Sequence, residues 1–257
     1  MKLISIDKDI QDNIPLLHVV DESLRTERLP TIIFIHGFTS IKEKNLHYAY
    51  FLAEKGFRVL LPDAMLHGER ELVTERETMF QFWDIVMKTI DELEQLKNRY
   101  FMKGLVDIGR VGVAGTSMGG IVTLGAIRKY DWIKAGASLM GSPYLLQFAK
   151  AQIAELKKKE VEIPYTNEEI QTLYSKLESY DLGIQPEKIQ QRPLLMWHGE
   201  QDDVVPIQLT IRFFEEVKKH YEEEQHLLKF IVDKEAGHKV TTKGVRETVA
   251  WFEKHLL

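Results

Sequence analysis

Short apolar runs recur along the chain, and they constrain its fold more than any other feature. The runs are Thr31–Ile35, Arg58–Leu61, Arg110–Ala114, Ala135–Met140, Pro193–Trp197 and Leu227–Val232. Each is almost wholly apolar instead of alternating, which is typical of strands buried on both faces of a parallel sheet. Lys2–Asp7 and Pro15–Asp21 read as additional antiparallel edge strands. The pattern predicts an α/β fold with a mostly parallel sheet of about eight strands and helices on both faces.

Helical periodicity separates several of these runs. One apolar stripe lies between Val59 and Arg110, and a second lies near the end of the chain. Their members are Phe82, Val86, Ile90, Leu93 and Tyr100, and then Val245, Val249, Phe252 and Leu256. A stripe at this spacing indicates a helix that packs one face on the sheet.

The segment between Met140 and Pro193 interrupts the alternation of strand and helix. It has a helical pattern over Leu145–Leu156, and a capping-box signature at Thr166–Glu169 opens another helix. An insertion after the carboxyl end of a strand lies where ligands bind in open α/β sheets. We therefore predict one domain spanning residues 1–257, with a small helical cap at about 144–190.

Composition excludes several classes of function. The 257 residues include 34 Lys+Arg, 39 Asp+Glu and no cysteine, which leaves a net charge of -5. Without cysteine there is no thiolate catalysis, zinc ribbon or iron–sulfur cluster, and without a basic block we expect no nucleic-acid partner. Charges at Lys2, Asp7, Lys8 and Asp9 argue against a signal peptide. We expect a cytoplasmic protein that does not engage a membrane.

A G-x-S-x-G string, Gly115–Gly119, follows one apolar run and precedes a helix-like stretch. A sharp turn between strand and helix requires small residues two positions before and two after the serine. Such a turn lifts the hydroxyl of Ser117 clear of the sheet and directs the first helical N–H groups toward it. The placement predicts that Ser117 is a nucleophile.

A serine nucleophile needs a histidine base that a carboxylate orients. After this turn the chain order is usually serine, acid, histidine. Of the candidate bases, His238 follows a strand within Ala236-Gly237-His238, whereas the other three read as surface histidines: His220, His226 and His255. Of the candidate acids, Asp202 is preferred to its neighbour Asp203, and Glu200 ranks third.

The tetrahedral intermediate also needs hydrogen-bond donors for its oxyanion. The amide of Met118, which follows the nucleophile, is one candidate donor. The second candidate is the amide of Phe38, because Ile35-His36-Gly37-Phe38 follows an early strand and Gly37 allows close backbone approach. His36 is expected to shape this loop and not to act as a base.

These motifs together resemble the α/β-hydrolase superfamily. The sequence is most similar to the branch of small bacterial carboxylesterases related to the dienelactone hydrolases and to prolyl-oligopeptidase-type catalytic domains. The resemblance rests on His36-Gly37-Phe38, Gly115–Gly119, His198–Pro206 and Gly237-His238. It favours Asp202 as the acid, because the fifth place of the H-G-x-x-D string holds the acid in that branch. In a close subgroup, segments like Leu61–Arg70, Phe82-Trp83 and Met140–Tyr144 line or support the pocket.

The residues and the resemblance together predict a serine carboxylesterase that acts on small-molecule esters through an acyl-enzyme, without metal or cofactor. Tyr144, Phe148 and Val204 are candidate substrate-binding residues, and a small pocket would favour short acyl chains. Two alternatives remain open at this point. One is a thioesterase or a small-peptide or amide hydrolase with the same triad, and the other is a non-catalytic binding protein with this fold.

Overall fold

One sheet organises the computed structural model, which describes residues 2–257. Within that range the sheet has eight strands. They are β1 (Ile4–Gln11), β2 (Ile14–Asp21), β3 (Leu29–Ile35), β4 (Arg58–Pro62), β5 (Val106–Thr116), β6 (Ala135–Leu139), β7 (Leu194–Gly199) and β8 (Leu228–Asp233).

The strand order is β1-β2-β4-β3-β5-β6-β7-β8. β1 pairs antiparallel with β2, and β2 pairs antiparallel with β4. The remaining neighbours are parallel. The predicted fold class is therefore confirmed: this is a mostly parallel α/β sheet in which β2, second from one edge, runs antiparallel to both of its neighbours.

Both faces of the sheet are buried, which explains why the strands read as unbroken apolar runs. Alternate residues of a strand point to opposite faces. In β3, Ile33 and Ile35 belong to one core cluster, and Ile32 and Phe34 belong to the other. A strand covered on both sides needs apolar residues at every position.

Eight α-helices connect or cover the strands within residues 2–257. They are α1 (Leu46–Glu54), α2 (Glu75–Phe80), α3 (Phe82–Met102), α4 (Met118–Lys129), α5 (Leu145–Lys158), α6 (Asn167–Glu178), α7 (Ile207–Val217) and α8 (Thr242–Leu256). Helices α1 and α8 contribute to one core cluster, and α3, α4, α5 and α7 contribute to the other. The two predicted amphipathic stripes lie on α3 and α8.

Some boundaries differ from the sequence prediction for local reasons. β5 is longer than Arg110–Ala114, and its pairing with β3 is irregular between Leu29 and Thr31. β6 ends before Met140, whose φ of 56° lies in the left-handed region. β8 is only partly buried because it is the last strand of the sheet. The short helix α2 was not predicted.

Helices α5 and α6 occupy the segment between β6 and β7. The predicted capping box opens α6: the Thr166 side chain accepts from the amide of Glu169, whose carboxylate accepts from the amide of Thr166. These two bonds satisfy amides that would otherwise have no partner at the start of the helix. Across residues 2–257, none of the helices is long and apolar enough to cross a bilayer.

Candidate active site

Ser117 lies at the turn between β5 and α4. Its φ of 54° is in the left-handed region, which is strained for a residue with a side chain. Its amide donates to the Leu139 carbonyl at 2.7 Å, and its carbonyl accepts from the amide of Ile121 at 3.0 Å. Bonds to both the sheet and the helix hold the strained turn and present the hydroxyl at the carboxyl edge of the sheet.

The glycines on either side of Ser117 explain the G-x-S-x-G spacing in atomic terms. A Cβ built on Gly115 would lie 2.5 Å from the backbone of Gly119, and one built on Gly119 would lie 2.1 Å from the carbonyl oxygen of Ile35. The obstacles are backbone atoms, which cannot rotate away as a flexible side chain can. A tight turn at this position therefore requires glycine at both places.

Gly119→Ala is expected to destabilise the protein by about 3 kcal/mol, the upper end of the usual cost of overpacking. Gly109→Ala, on the strand β5 that leads into this turn, is the control because its Cβ would lie 3.5 Å from the nearest atom, an ordinary contact. We expect that control to stay within about 0.5 kcal/mol of the parent. Urea unfolding compares the two, and equal midpoints would contradict the steric argument.

His238 connects the other two predicted catalytic side chains. Its Nε2 lies 2.8 Å from Ser117 Oγ, and its Nδ1 lies 2.7 Å from Asp202 Oδ2. In the neutral tautomer that suits this arrangement, Nδ1–H donates to the carboxylate and Nε2 accepts from the serine hydroxyl. The structure thus brings together three residues from the ends of β5, β7 and β8.

The carboxylate of Asp202 is fully buried and accepts several hydrogen bonds. Oδ1 accepts from the amides of Val204 and Val205, both at 2.9 Å. Oδ2 faces His238 and also lies 3.2 Å from Nε2 of His198. Burial by itself would raise the pKa of Asp202, but these hydrogen bonds lower the pKa well below its ordinary value. Asp202 therefore stays ionised beside the imidazole.

The neighbouring acid has a different environment. Asp203 is exposed, whereas Asp202 points inward to His238. Among the other candidate bases, His226 pairs with Glu224 and its side chain is 53% exposed. His255 packs against Trp251 in α8, with the ring centroids 4.1 Å apart and the ring planes tilted by 56°. Neither histidine approaches Ser117 in this arrangement.

Two loops meet where the acid and the base are held. A Cβ on Gly199 would lie 2.3 Å from the carbonyl oxygen of Gly237 and 2.4 Å from that of Ala236. The amide of Gln201 donates to the Ala236 carbonyl at 3.0 Å. The glycine of the H-G-x-x-D string thus lets the loop after β7 contact the loop after β8. That contact brings Asp202 and His238 within hydrogen-bond distance of each other.

The two amides predicted to bind the oxyanion are those of Met118 and Phe38. Met118 is the first residue of α4, so its N–H has no acceptor within the helix. Phe38 lines the same cavity as Ser117, and a Cβ on Gly37 would lie 3.5 Å from Cβ of Ser117. Backbone of the loop after β3 therefore packs directly against the serine, at the place predicted for the second oxyanion donor.

His36 lies beneath this loop and uses both of its ring nitrogens. Nδ1–H donates to the Gly37 carbonyl at 2.8 Å, and Nε2 accepts from the amide of Ala64 at 3.0 Å. Burial lowers the pKa of His36 to about 4, so the ring is neutral at physiological pH. These contacts make His36 a structural support of the loop, the role expected from the sequence.

A cavity of about 580 Å³ opens at Ser117. Its wall is mostly aromatic and aliphatic, with contributions from α3, α4, α5 and α6. The apolar lining residues include Phe38, Phe82, Trp83, Ile121, Phe148, Ile153, Leu156, Ile163, Ile170, Leu173 and Val204. Inside this wall, Trp83 Nε1 donates to Gln152 Oε1 at 2.9 Å, which links α3 to α5.

Comparison with known proteins assigns the family. A model described as the prolyl oligopeptidase family matches residues 45–257. The chain belongs to the prolyl oligopeptidase family. It is 51% identical over 255 residues to a protein of Bacillus subtilis (strain 168) named "Putative esterase YitV", covering 99% of this chain and 100% of that protein. It is also 30% identical over 260 residues to "Esterase YjfP" of Escherichia coli (strain K12), with 99% and 100% covered.

Solved structures show the same fold. TT1662 from Thermus thermophilus gives a TM-score of 0.76 at 21% identity, and the match covers 99% of this chain and 98% of that one. At this identity the likeness concerns the fold alone. The resemblance to the α/β-hydrolase superfamily and its small bacterial esterases is confirmed, and so is the prediction of a serine hydrolase.

The predicted pocket residues of this prolyl oligopeptidase family member divide into two groups. Phe148 and Val204 line the cavity, and Val204 is 55% exposed. Tyr144 lies outside it, which corrects its predicted role in substrate binding. The Tyr144 ring lies under the guanidinium of Arg212, 3.7 Å from ring centroid to Cζ, and its hydroxyl bonds to Glu216. Both partners belong to α7, so α7 draws Tyr144 away from Ser117.

In the sequence, His198 is distinguished only as the first residue of the H-G-x-x-D string. In this family member His198 is fully buried, and its Nε2–H points toward two acceptors, Val205 O at 2.9 Å and Asp202 Oδ2 at 3.2 Å. It therefore fixes both the acid and the loop after it. A histidine four residues before an acid in a post-strand loop was the available signal. Over residues 2–257, no group of three or more His, Asp or Glu side chains is arranged to hold a metal.

Proposed function

We propose that this prolyl oligopeptidase family member is a serine carboxylesterase. Ser117 would attack the ester carbonyl while His238 takes its proton, and Asp202 would hold the imidazole tautomer and stabilise the imidazolium. The amides of Met118 and Phe38 would bind the oxyanion. His238 would then protonate the leaving alcohol, and water would release the acid by the same route. The observation that carries this proposal is the continuous hydrogen-bond chain from Ser117 through His238 to Asp202.

We also propose that residues 144–190 form a cap over the acyl site. Helices α5 and α6 supply a large part of the cavity wall, including Phe148, Leu156 and Leu173. Tyr165 donates from its hydroxyl to the Phe80 carbonyl at 3.2 Å, which ties the segment between these helices to α2. The part of the wall that the insertion builds would set the size of the site independently of the catalytic residues.

The size of the cavity favours larger acyl groups than the sequence suggested. The short-acyl prediction depended on a small pocket, whereas about 580 Å³ lies within the range of sites that hold whole drug-sized ligands. An acetyl group would leave most of the apolar wall without a partner. We therefore propose that the substrate carries a medium-length aliphatic or an aromatic acyl group.

A panel of nitrophenyl esters from acetate to decanoate tests this proposal, with Ser117→Ala as the baseline. Each methylene buried in the cavity contributes about 0.8 kcal/mol. We therefore expect kcat/KM to rise about tenfold from acetate to butyrate and to keep rising toward octanoate. A profile that falls beyond acetate would refute the large acyl site while leaving esterase activity in place. Matched thioester or amide substrates that react faster than the esters would instead move the assignment to those reactions.

Leu173→Trp is expected to shorten the preferred chain, because Leu173 lines the cavity from α6. We expect kcat/KM for octanoate to fall about tenfold, whereas acetate hydrolysis stays within about twofold, since lost burial affects only chains that reach the wall. Gln171→Trp places the same side chain at an exposed position of α6 and is the control. An equal loss on all esters would argue against a cap that sets chain length.

A further inference from the structure

The Phe38 amide is oriented by the neighbouring carbonyl of its own peptide unit. His36 Nδ1–H donates to the Gly37 carbonyl at 2.8 Å. In a planar trans peptide the N–H points opposite to the C=O. By holding the Gly37 oxygen, His36 turns the N–H of Phe38 the other way. The Gly37 oxygen also accepts from the amide of Ser40 at 3.2 Å, so His36 supplies the shorter of two bonds that orient the amide placed at the oxyanion by the proposed function.

A second imidazole holds the next residue of the loop. The amide of Thr39 donates to His67 Nε2 at 3.1 Å, and His67 Nδ1–H donates to the Met65 carbonyl at 2.9 Å. Thr39 has a φ of 59°, a left-handed conformation that needs support from its surroundings. Burial lowers the pKa of His67, which favours the neutral ring that can accept this bond. The two peptide units around Phe38 thus depend on two buried histidines.

Both histidines depend in turn on one segment, residues 63–70 after β4. Ala64 and Met65 supply the backbone groups that contact the two rings. The segment is organised around the carboxylate of Asp63, which is 0% exposed. Asp63 Oδ2 accepts from the amide of Glu69 at 3.0 Å, and a Cβ on Gly68 would lie 2.4 Å from this carboxylate. The backbone therefore wraps closely around Asp63.

Lys42 connects Asp63 back to the loop that carries Phe38. Its side chain is 1% exposed, and its Nζ lies 2.6 Å from Asp63 Oδ2 and 2.8 Å from Glu69 Oε1. Its backbone amide donates to Asp63 Oδ1 at 3.1 Å. Burial alone would lower the pKa of Lys42, but the bonds to Asp63 and Glu69 raise it above its ordinary value. One carboxylate thus receives the main chain and the side chain of the same lysine.

The segment is also anchored to the core of the protein. Arg70 Nη1 donates to the Asp63 carbonyl at 3.1 Å, and the same guanidinium forms two hydrogen bonds with Glu92 of α3, at 2.7 and 2.8 Å. Lys42 and Asp63 therefore lie between a fixed helix and the loop that carries Phe38. A displacement at either residue would pass through His36 and His67 to the oxyanion donor.

We infer that the buried Lys42–Asp63 ion pair is a positioning pair for the oxyanion hole, acting through His36 and His67 on the amide of Phe38. This inference rests on the proposed esterase function. A buried ion pair contributes little net stability relative to an apolar pair of the same shape, because desolvation offsets the attraction. Its directional bonds instead fix the separation of the two loops. A displacement of about 1 Å in an active site can cost about 10²-fold in rate.

The test is the double variant Lys42→Met/Asp63→Asn, which removes both charges and leaves neither unpaired. The measured quantities are kcat and KM for a nitrophenyl ester and the Ki of an aryl boronic acid, whose tetrahedral adduct with Ser117 places an oxygen in the oxyanion hole. We expect kcat to fall by about 10- to 10²-fold, the Ki to rise by a similar factor and KM to stay within about twofold. A general loss of structure would not separate kcat from KM in this way.

Lys8→Met is the matched control, because Lys8 contacts the same Glu69 carboxylate at 3.2 Å from the exposed side. It should keep wild-type kcat and Ki. If the double variant does not fold, Asp63→Asn alone carries the test, since Glu69 and Glu43 remain as partners of Lys42. A folded variant with unchanged kcat and Ki, or with its whole loss in KM, overturns the inference. If Ser117→Ala hydrolysed the ester at the wild-type rate, that result would instead overturn the proposed function itself.

Discussion

Replacing Ser117 by alanine is expected to lower kcat for ester hydrolysis by about 10⁵- to 10⁶-fold, the largest effect of any single substitution in this chain. The variant keeps the backbone of the turn and removes only the oxygen that lies 2.8 Å from His238 Nε2. Because the nucleophile, base and acid act as one unit, His238→Ala should lose nearly as much activity. The double variant should be no worse than either single one.

Two measurements make this prediction decisive. A fluorophosphonate probe should label the wild-type protein at Ser117 and leave the alanine variant unlabelled. Thermal unfolding should show that the variant is folded, because the loss of one hydroxyl oxygen leaves the turn and the core unchanged. Hydrolysis by the alanine variant at the wild-type rate would show that the reaction uses another group. The hydrogen-bond chain would then have no catalytic meaning.

Much of this fold could be predicted from sequence because its signals are local. A strand buried on both faces must be largely apolar, and the residues of β3 and β7 follow this pattern. A helix that packs on one face of the sheet must carry an apolar stripe, as α3 does. Strand ends were less predictable, since the end of β6 depends on the positive φ of Met140 and not on a change in composition.

The site was predictable where geometry restricts residue type. Glycine is required at positions 115, 119 and 199 because backbone atoms lie where a Cβ would be. Those requirements place Ser117 and Asp202 within recognisable strings. The contacts of Lys42 and His67 leave no such signature, since each joins residues more than twenty positions apart in the chain. A lysine in a polar loop reads as a surface residue until its partner is known.

The pocket was the least predictable part of the site. Tyr144 and Phe148 are close in the chain, yet the start of α5 turns Tyr144 toward α7 and Phe148 toward the cavity. The volume of the cavity depends on how α5 and α6 lie against α2 and α3. Periodicity indicates that a helix exists and which face is apolar, but not the distance between two helices. The acyl-chain preference is therefore a question for the structure.

Asp202→Asn is expected to lower kcat/KM by about 10⁴-fold, whereas Asp203→Asn should stay within about twofold. The reason lies in the four donors around Asp202. Oδ1 accepts two backbone amides, from Val204 and Val205, so the asparagine oxygen must take that side. Its NH₂ group then takes the place of Oδ2 and faces the rings of both His198 and His238.

An NH₂ group in that place reverses the tautomer of the base. His238 Nδ1 must become an acceptor, which moves the proton to Nε2, and an Nε2–H cannot take the proton of Ser117. His198 cannot adapt in the same way, because its Nε2–H is also held by the Val205 carbonyl at 2.9 Å. The variant therefore loses both the base and one buried hydrogen bond. Asp203→Asn changes an exposed charge outside this network. Equal activities of the two asparagine variants would therefore show that Asp202 is not the acid of the triad.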